Sequence, residues 1–173
     1  MFEKFGEFDS AEEINRAAAA QLAEGDTEAV IAIAKENGIE RLEAEDYIDG
    51  VMEELVTPLM AALGKLKVEQ EEYEIGGILE DWVQQVQSLC IKEEQMRIAV
   101  RKKGKSLRDC MAKLIAFAFE NKVRVSDKIA KAAMVKHNGK TVPMQTPLYL
   151  GVPNKKMVDF IIKQYYLGET DKC

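Results

Sequence analysis

Few side chains in this sequence could do covalent or acid–base chemistry. His137 is the single histidine, and the cysteines are Cys90, Cys110 and Cys173. A Ser–His–acid relay would have to use His137. That residue stands in "KHNGK", where Asn138-Gly139 marks a tight hairpin turn rather than the wall of a site. Spacing leaves a Cys110–His137 pair open, but Cys110 falls beside the apolar positions of a helical pattern and reads as core. Three cysteines, far apart and without C-x-x-C spacing, read as reduced thiols of a cytoplasmic protein. With no H-E-x-x-H either, a transition-metal site has little to build from. The residues thus point to no catalytic group and no metal site.

Anion chemistry has a better candidate. "AVRKKGKSLRDC", residues 99–110, sets Arg101, Lys102, Lys103, Lys105 and Arg108 within eight positions. Its Gly104-Lys105-Ser106 looks like the end of a phosphate loop, but that pattern requires a glycine where Ala99 stands, and the preceding residues read as helix. What remains is a helix starting at Ser106, whose first amides and dipole, ringed by cations, fit a phosphate backbone or a partner's carboxylates. The competing reading is a basic loop that is merely solvated.

Carboxylates are abundant: Glu43, Glu45, Asp46, Asp49, Glu53 and Glu54, then Glu69, Glu71, Glu72 and Glu74. A pair of them could do acid–base work, yet no apolar pocket pattern accompanies them. "DTEAVIAIAKE" lacks the oxygen ligands and central glycine of a calcium loop. Acids every three or four places on a helix repeat at about 5–6 Å. That is a scale comparable to strand phosphates, so a face of Glu43, Asp46, Asp49 and Glu53 can compete for a channel lined with Lys and Arg. Overall the 173 residues carry a net charge of −6. Residues 1–75 hold 20 Asp/Glu against 6 Lys/Arg, or −14, and residues 76–173 hold 10 against 18, or +8. Such a split implies surfaces that face different partners, or each other.

The elements that must place these groups are mostly helices. At 47% hydrophobic the chain can bury a core, and no apolar run approaches the ~20 residues of a membrane span. "SAEE" is a capping box that opens a helix running to about Glu24, and Asp26 or Thr27 caps the next, stopped by Gly38. A third short helix closes at Gly50, and a fourth starts near Thr57-Pro58. "VEQEEYEIGG", 68–77, reads as a seam, giving an acidic helical domain over 1–70 and a basic helical domain over 76–173. In the second, Ile78, Leu79, Trp82, Val83, Val86, Leu89 and Cys90 trace one buried stripe, so Trp82 reads as a core anchor. Ser106 caps a helix with Asp109 in the reciprocal position, and Ser126 caps a shorter one. A hairpin lies near 134–152, with "PLYLGV" as a further strand, and the last helix runs from Pro153 to Gly168. The fold class is mainly α, a helical amino-terminal unit followed by a helical carboxy-terminal unit carrying a small β-hairpin.

The stretches "MFEKFGEFDSAEEIN", "IAKENGIERLEAEDYIDG", "ILEDWV", "VRKKGKSLRDCMAKLIAFAFENK" and "LYLGVP" resemble a family found on mobile elements of gut Firmicutes. Its members are inhibitors of the type II CRISPR effector nuclease (Cas-nine), that is, type II-A anti-CRISPR proteins. The likeness spans nearly the whole chain, and the opening and "VRKKGKSL" are its most specific parts. The resemblance implies a cytoplasmic, non-enzymatic blocker without a cofactor, made by a phage or other mobile element. Its partner would be the CRISPR nuclease, with the guide RNA as a further contact, and a homo-oligomer is compatible with it. Such a nuclease holds its duplex in a positive channel and reads a short flanking motif with arginines. Charge and placement, not the family, supply the partner-binding candidates: the acidic face Glu43, Asp46, Asp49 and Glu53, and the basic loop Arg101, Lys102, Lys103, Lys105 and Arg108. The alternative function is a nucleic-acid-binding accessory protein of a conjugative or phage element.

Overall fold

The computed structural model describes residues 4–168, so Cys173 lies outside the described residues. The described chain is mainly helical, with two small two-stranded antiparallel sheets near its carboxy-terminal part. In order the helices are α1 (Ala11–Ala23), α2 (Thr27–Glu36), α3 (Arg41–Ile48), α4 (Pro58–Glu72), α5 (Ile78–Lys92), α6 (Glu94–Arg101), α7 (Leu107–Glu120), α8 (Asp127–Ala132) and α9 (Lys155–Leu167). The strands are β1 (Val123–Arg124), β2 (Met134–His137), β3 (Lys140–Pro143) and β4 (Tyr149–Leu150). Among the described residues no helix is long and apolar enough to cross a membrane.

Short polar side chains set most of the helix starts. Ser10 Oγ accepts from Glu13 N at 3.2 Å, Asp26 Oδ1 from Ala29 N at 2.9 Å, Thr57 Oγ1 from Met60 N at 3.2 Å and Ser106 Oγ from Asp109 N at 3.1 Å. The box at Ser10 is shifted by one residue, because the Glu13 carboxylate accepts from Asp9 N at 2.8 Å. The last helix starts later than its sequence suggests: Asn154 caps it, accepting from Met157 N at 3.0 Å, while Pro153 is buried ahead of it. Ser126 precedes α8 without making a side-chain cap.

Two apolar clusters result. The first joins Ile14 and Ala18 of α1, Val30, Ile33 and Ala34 of α2, Ala44 and Tyr47 of α3, and Leu55, Val56 and Ala61. The second joins the α5 stripe, including Trp82 and Cys90, to Met96 and Val100 of α6, Leu107, Cys110, Met111 and Leu114 of α7, and Val158, Ile161, Ile162 and Tyr166 of α9. Helix α4 belongs to both. Its Ala61 enters the first cluster, and Ala62 and Leu66, around the helix, enter the second. The acidic stretch 68–77 therefore begins inside a helix shared by the two cores.

Hairpin β2–β3 pairs Met134 with Pro143 and His137 with Lys140. Asn138 and Gly139 have φ of 50° and 76°, as a two-residue turn with both centres left-handed requires. Residues 149–150 do not extend this hairpin. They pair with β1, Val123 opposite Leu150 and Arg124 opposite Tyr149. Pro143 and Pro147 lack the N–H groups that a third strand there would need, whereas Val125 N donates to Leu148 O at 2.8 Å beside β1.

The tightest backbone approach is where the end of α2 crosses α4. A Cβ on Gly64 would lie 2.1 Å from Asn37 O, and one on Gly38 2.2 Å from Gly64 O. Gly64 is helical, so propensity alone favours alanine there by about 1 kcal/mol. The clash reverses that sign: Gly64→Ala is expected to destabilise by about 2–3 kcal/mol, as overpacking against backbone does. In urea melts the midpoint should fall with an unchanged slope, and a stabilised Gly64→Ala would mean that the two helices are not held this close.

Candidate functional site

The basic loop does not face outward as a unit. Arg101, in the last turn of α6, is only 2% exposed, and its Nη2 donates to Oδ1 of Asn37, which is wholly buried at the end of α2. Asn37 Nδ2 in turn donates to Ile33 O at 2.8 Å. Burial lowers the Arg101 guanidinium to about 10, against the pull of Glu7, Glu69 and Asp9, and it stays charged at neutral pH. Arg101 is thus a structural link between the halves and not a residue of an exposed partner-binding loop. Sequence spacing could not reveal this, because the inner face of α6, Met96, Ala99, Val100 and Arg101, is known only once the helix is packed against α4 and α9.

Lys105 is also committed internally. Its Nζ donates to Tyr165 O at 2.5 Å and lies 4.7 Å from the centre of the Tyr165 ring. Ser106 N donates to Tyr165 Oη at 2.8 Å, and Lys103 N donates to an Asp9 carboxylate oxygen. Lys102, Lys103 and Arg108 keep exposed side chains, though Arg108 is 2.9 Å from Asp109. Two of the amides at the start of α7, those of Leu107 and Asp109, are likewise taken. Leu107 N donates to Glu69 Oε2 at 2.7 Å, so the anion expected at this helix end is the chain's own carboxylate.

Glu69 and Lys65, four residues apart on α4, are the buried charges that sequence reading does not single out. Lys65 is 0% exposed; its Nζ lies 2.5 Å from Glu7 Oε1 and 3.9 Å from Glu69 Oε1, and donates to Lys105 O at 2.8 Å. A signal was present: Ala61, Lys65 and Glu69 follow one another at helical spacing, so a charged pair continues an apolar line. The segment ahead of α1 straps over this cluster. Lys4 N and Phe5 N donate to the Glu36 carboxylate at 2.8 and 3.1 Å, which places Glu7 against Lys65.

The acidic face is laid out differently. Glu43 and Asp46 lie on α3, half-buried; Asp49 caps its end and Glu53 follows in the loop, both exposed. Glu43 Oε2 accepts from Glu40 N at 3.0 Å, a capping role that uses one of its oxygens. Asp46, Asp49 and Glu53 have no ion-pair partner among the described residues. Leu42 and Val51 add exposed apolar surface beside them. A concavity of 480 Å³ between α2, α3 and α4 is lined by Ile31, Lys35, Glu40, Arg41, Lys67 and Glu71 among others. Its cations are largely answered, Lys67 by Glu40 and Arg41 by Glu45 at 2.7 Å.

His137 is exposed at the end of β2, opposite Lys140, while Cys110 is buried on α7. Burial pushes the Cys90 and Cys110 thiols up to about 12, so both are inert packing groups at neutral pH. Among the described residues no group of three or more His, Cys, Asp or Glu is placed to hold a metal ion. No protein-family model, no curated protein and no solved structure matches the chain.

Two expectations follow from the buried cluster. Desolvation raises the Glu69 carboxyl from 4.5 to about 7, opposed by the Leu107 N–H and Lys65. Between those values the folded chain holds a proton that the unfolded chain has lost, so this group's stabilising contribution is full below 4.5 and declines as pH rises through 7. Glu69→Gln keeps the acceptor for Leu107 N and should remove that decline, on the order of 3 kcal/mol across the window. Urea melts of both proteins against pH measure it, and parallel curves would refute the shift. Separately, Arg101→Ala should cost about 3 kcal/mol by stranding buried partners, whereas Lys102→Ala should stay within about 0.5 kcal/mol. Equal melting of the two variants would show that Arg101 is not a structural link.

Proposed function

We propose that the protein is a non-enzymatic binding protein that inhibits an RNA-guided type II CRISPR effector nuclease, docking through the acidic face of α3 and the loop that follows it. One contrast supports this reading. Of the basic loop, Arg101 and Lys105 are satisfied inside the molecule and Arg108 is paired with Asp109, while Asp46, Asp49 and Glu53 have no cation partner among the described residues. Carboxylates beside exposed Leu42 and Val51 suit a partner surface that is positive with an apolar centre. The positive channel and motif-reading arginines of such a nuclease are surfaces of that kind. Occluding them stops DNA binding or cleavage without any bond being made or broken, and the family resemblance directs the reading to this class of target.

Electrostatic docking of this kind speeds association and weakens with salt. Purified protein titrated into guide-loaded nuclease with target DNA should suppress cleavage near stoichiometry. Joint replacement Asp46→Lys, Asp49→Lys and Glu53→Lys should raise the half-inhibitory concentration by about ten-fold or more, the scale of like-charge juxtaposition. Lys102→Glu with Lys103→Glu should leave it within about two-fold. Undiminished cleavage at excess inhibitor eliminates the reading for that nuclease, and full potency in the triple variant removes the acidic face from it.

A further inference from the structure

Between α7 and α9 the chain buries almost nothing. Across residues 119–152 only Ala130 is buried, while Phe119, Val123, Ile129, Met134, Tyr149, Leu150 and Val152 stay exposed. A stretch of two short ribbons and one short helix with so little core presents surface rather than filling volume. Its charge also runs against the rest of the molecule. Residues 120–156 hold 8 Lys/Arg against 2 Asp/Glu, or +6, so the remainder of this −6 chain carries −12. One of those two acids, Asp127, is engaged by Arg124 at 3.1 Å.

We infer that this module, the β1–β4 ribbon with α8 and the β2–β3 hairpin, is a docking surface for a single-stranded nucleic acid. Two aromatic rings each stand beside a cation, Phe119 at the end of α7 where the module begins and Tyr149 within the ribbon. Lys122 Nζ lies 4.6 Å from the centre of the Phe119 ring, which is 68% exposed. Tyr149, 50% exposed, is the cross-strand partner of Arg124, and residues paired in this way share a face. The hairpin adds Lys136, Lys140 and His137 around its turn. Phosphates take the lysines, with Arg124 shared between them and Asp127, and unpaired bases stack on Phe119 and Tyr149, which is how strand-binding surfaces combine charge with ring faces. Val123 and Leu150, paired on the ribbon's other face, offer apolar contact to a base or sugar. A duplex keeps its base faces stacked away and leaves the two rings without a role. The −12 remainder repels a strand elsewhere, which confines binding to this module and keeps it salt-sensitive. The basic loop at 101–108 takes no part, since its inner members are committed to Asn37 and Tyr165. The surface is distinct from the acidic face, so its failure and that of the inhibitor reading are separable.

Fluorescence anisotropy of the full chain with a labelled mixed-sequence strand of about 20 nucleotides, and with the matching duplex, tests this. If about five phosphates are contacted, affinity for the strand should fall about 100-fold between about 50 and 200 mM salt. Arg124→Glu, Lys136→Glu and Lys140→Glu together should weaken binding by about ten-fold or more and flatten the salt dependence. Phe119→Ala with Tyr149→Ala should weaken it about ten-fold with the salt dependence unchanged, the mark of lost stacking. All five positions are at least half exposed or on the hairpin surface, and circular dichroism of each variant is to match that of the parent chain before binding is compared. Three results overturn the proposal: no strand binding at the lower salt, duplex bound as well as the strand, or equal competition by polyglutamate. A mass that grows with protein concentration, abolished by the same charge reversals and unaffected by the strand, would assign the surface to a second copy instead.

Discussion

A lysine sealed from water sets the terms for this structure. Removing Lys65 from solvent costs several kcal/mol unless its charge and donors are met, and the chain meets them from three places. Glu7 comes from the amino-terminal strap, Glu69 from the next turn of the same helix, and the Lys105 carbonyl from the loop ahead of α7. Glu69 then carries the connection to Leu107 N, and Arg101 makes a parallel one to Asn37. These contacts tie the acidic half to the basic half at points where apolar packing alone would allow sliding. These ties are hydrogen bonds to a carbonyl, an amide and Asn37, and the ion pairs of Lys65 stay within the acidic half, so both signs of charge still reach the surface, as an acidic face at α3 and a basic module between α7 and α9.

Helix α4 makes that arrangement possible. It lends Ala61 to one core and Ala62 with Leu66 to the other, and it brings Lys65 and Glu69 to the line between them. The Gly38–Gly64 crossing lets α2 approach closely enough for Asn37 to reach Arg101. Burial, backbone contact and charge pairing all converge on one helix. The surfaces proposed for partners lie away from it, where alterations need not disturb the core.

Local signals were read well where a short-range rule decided the outcome. Ser10, Asp26, Thr57 and Ser106 cap the helices they precede, and Asn138-Gly139 turns the hairpin, because each acts within a few residues. The buried stripe of α5 was legible from its spacing, with Trp82 in the core. Long-range choices were not. That residues 149–150 pair with β1 and not with the hairpin depends on where α7 ends. That Arg101 and Lys105 turn inward while Lys102 and Lys103 stay out depends on Asn37, Asp9 and Tyr165, which lie 60 or more residues away. A run of like charges is uniform in sequence, and only the packed neighbours divide it into structural and surface members.

The strap formed by residues 4–9 has a bearing on how the chain is assembled. Glu7 meets a lysine 58 positions later, and Asp9 meets an amide 94 positions later. Loop closure over such separations follows the contacts that build the seat. Residues 4–9, which precede in the chain everything they hold on to, are thus among the last to find their place, and until they do, a cation waits in a half-built interior with its lid off.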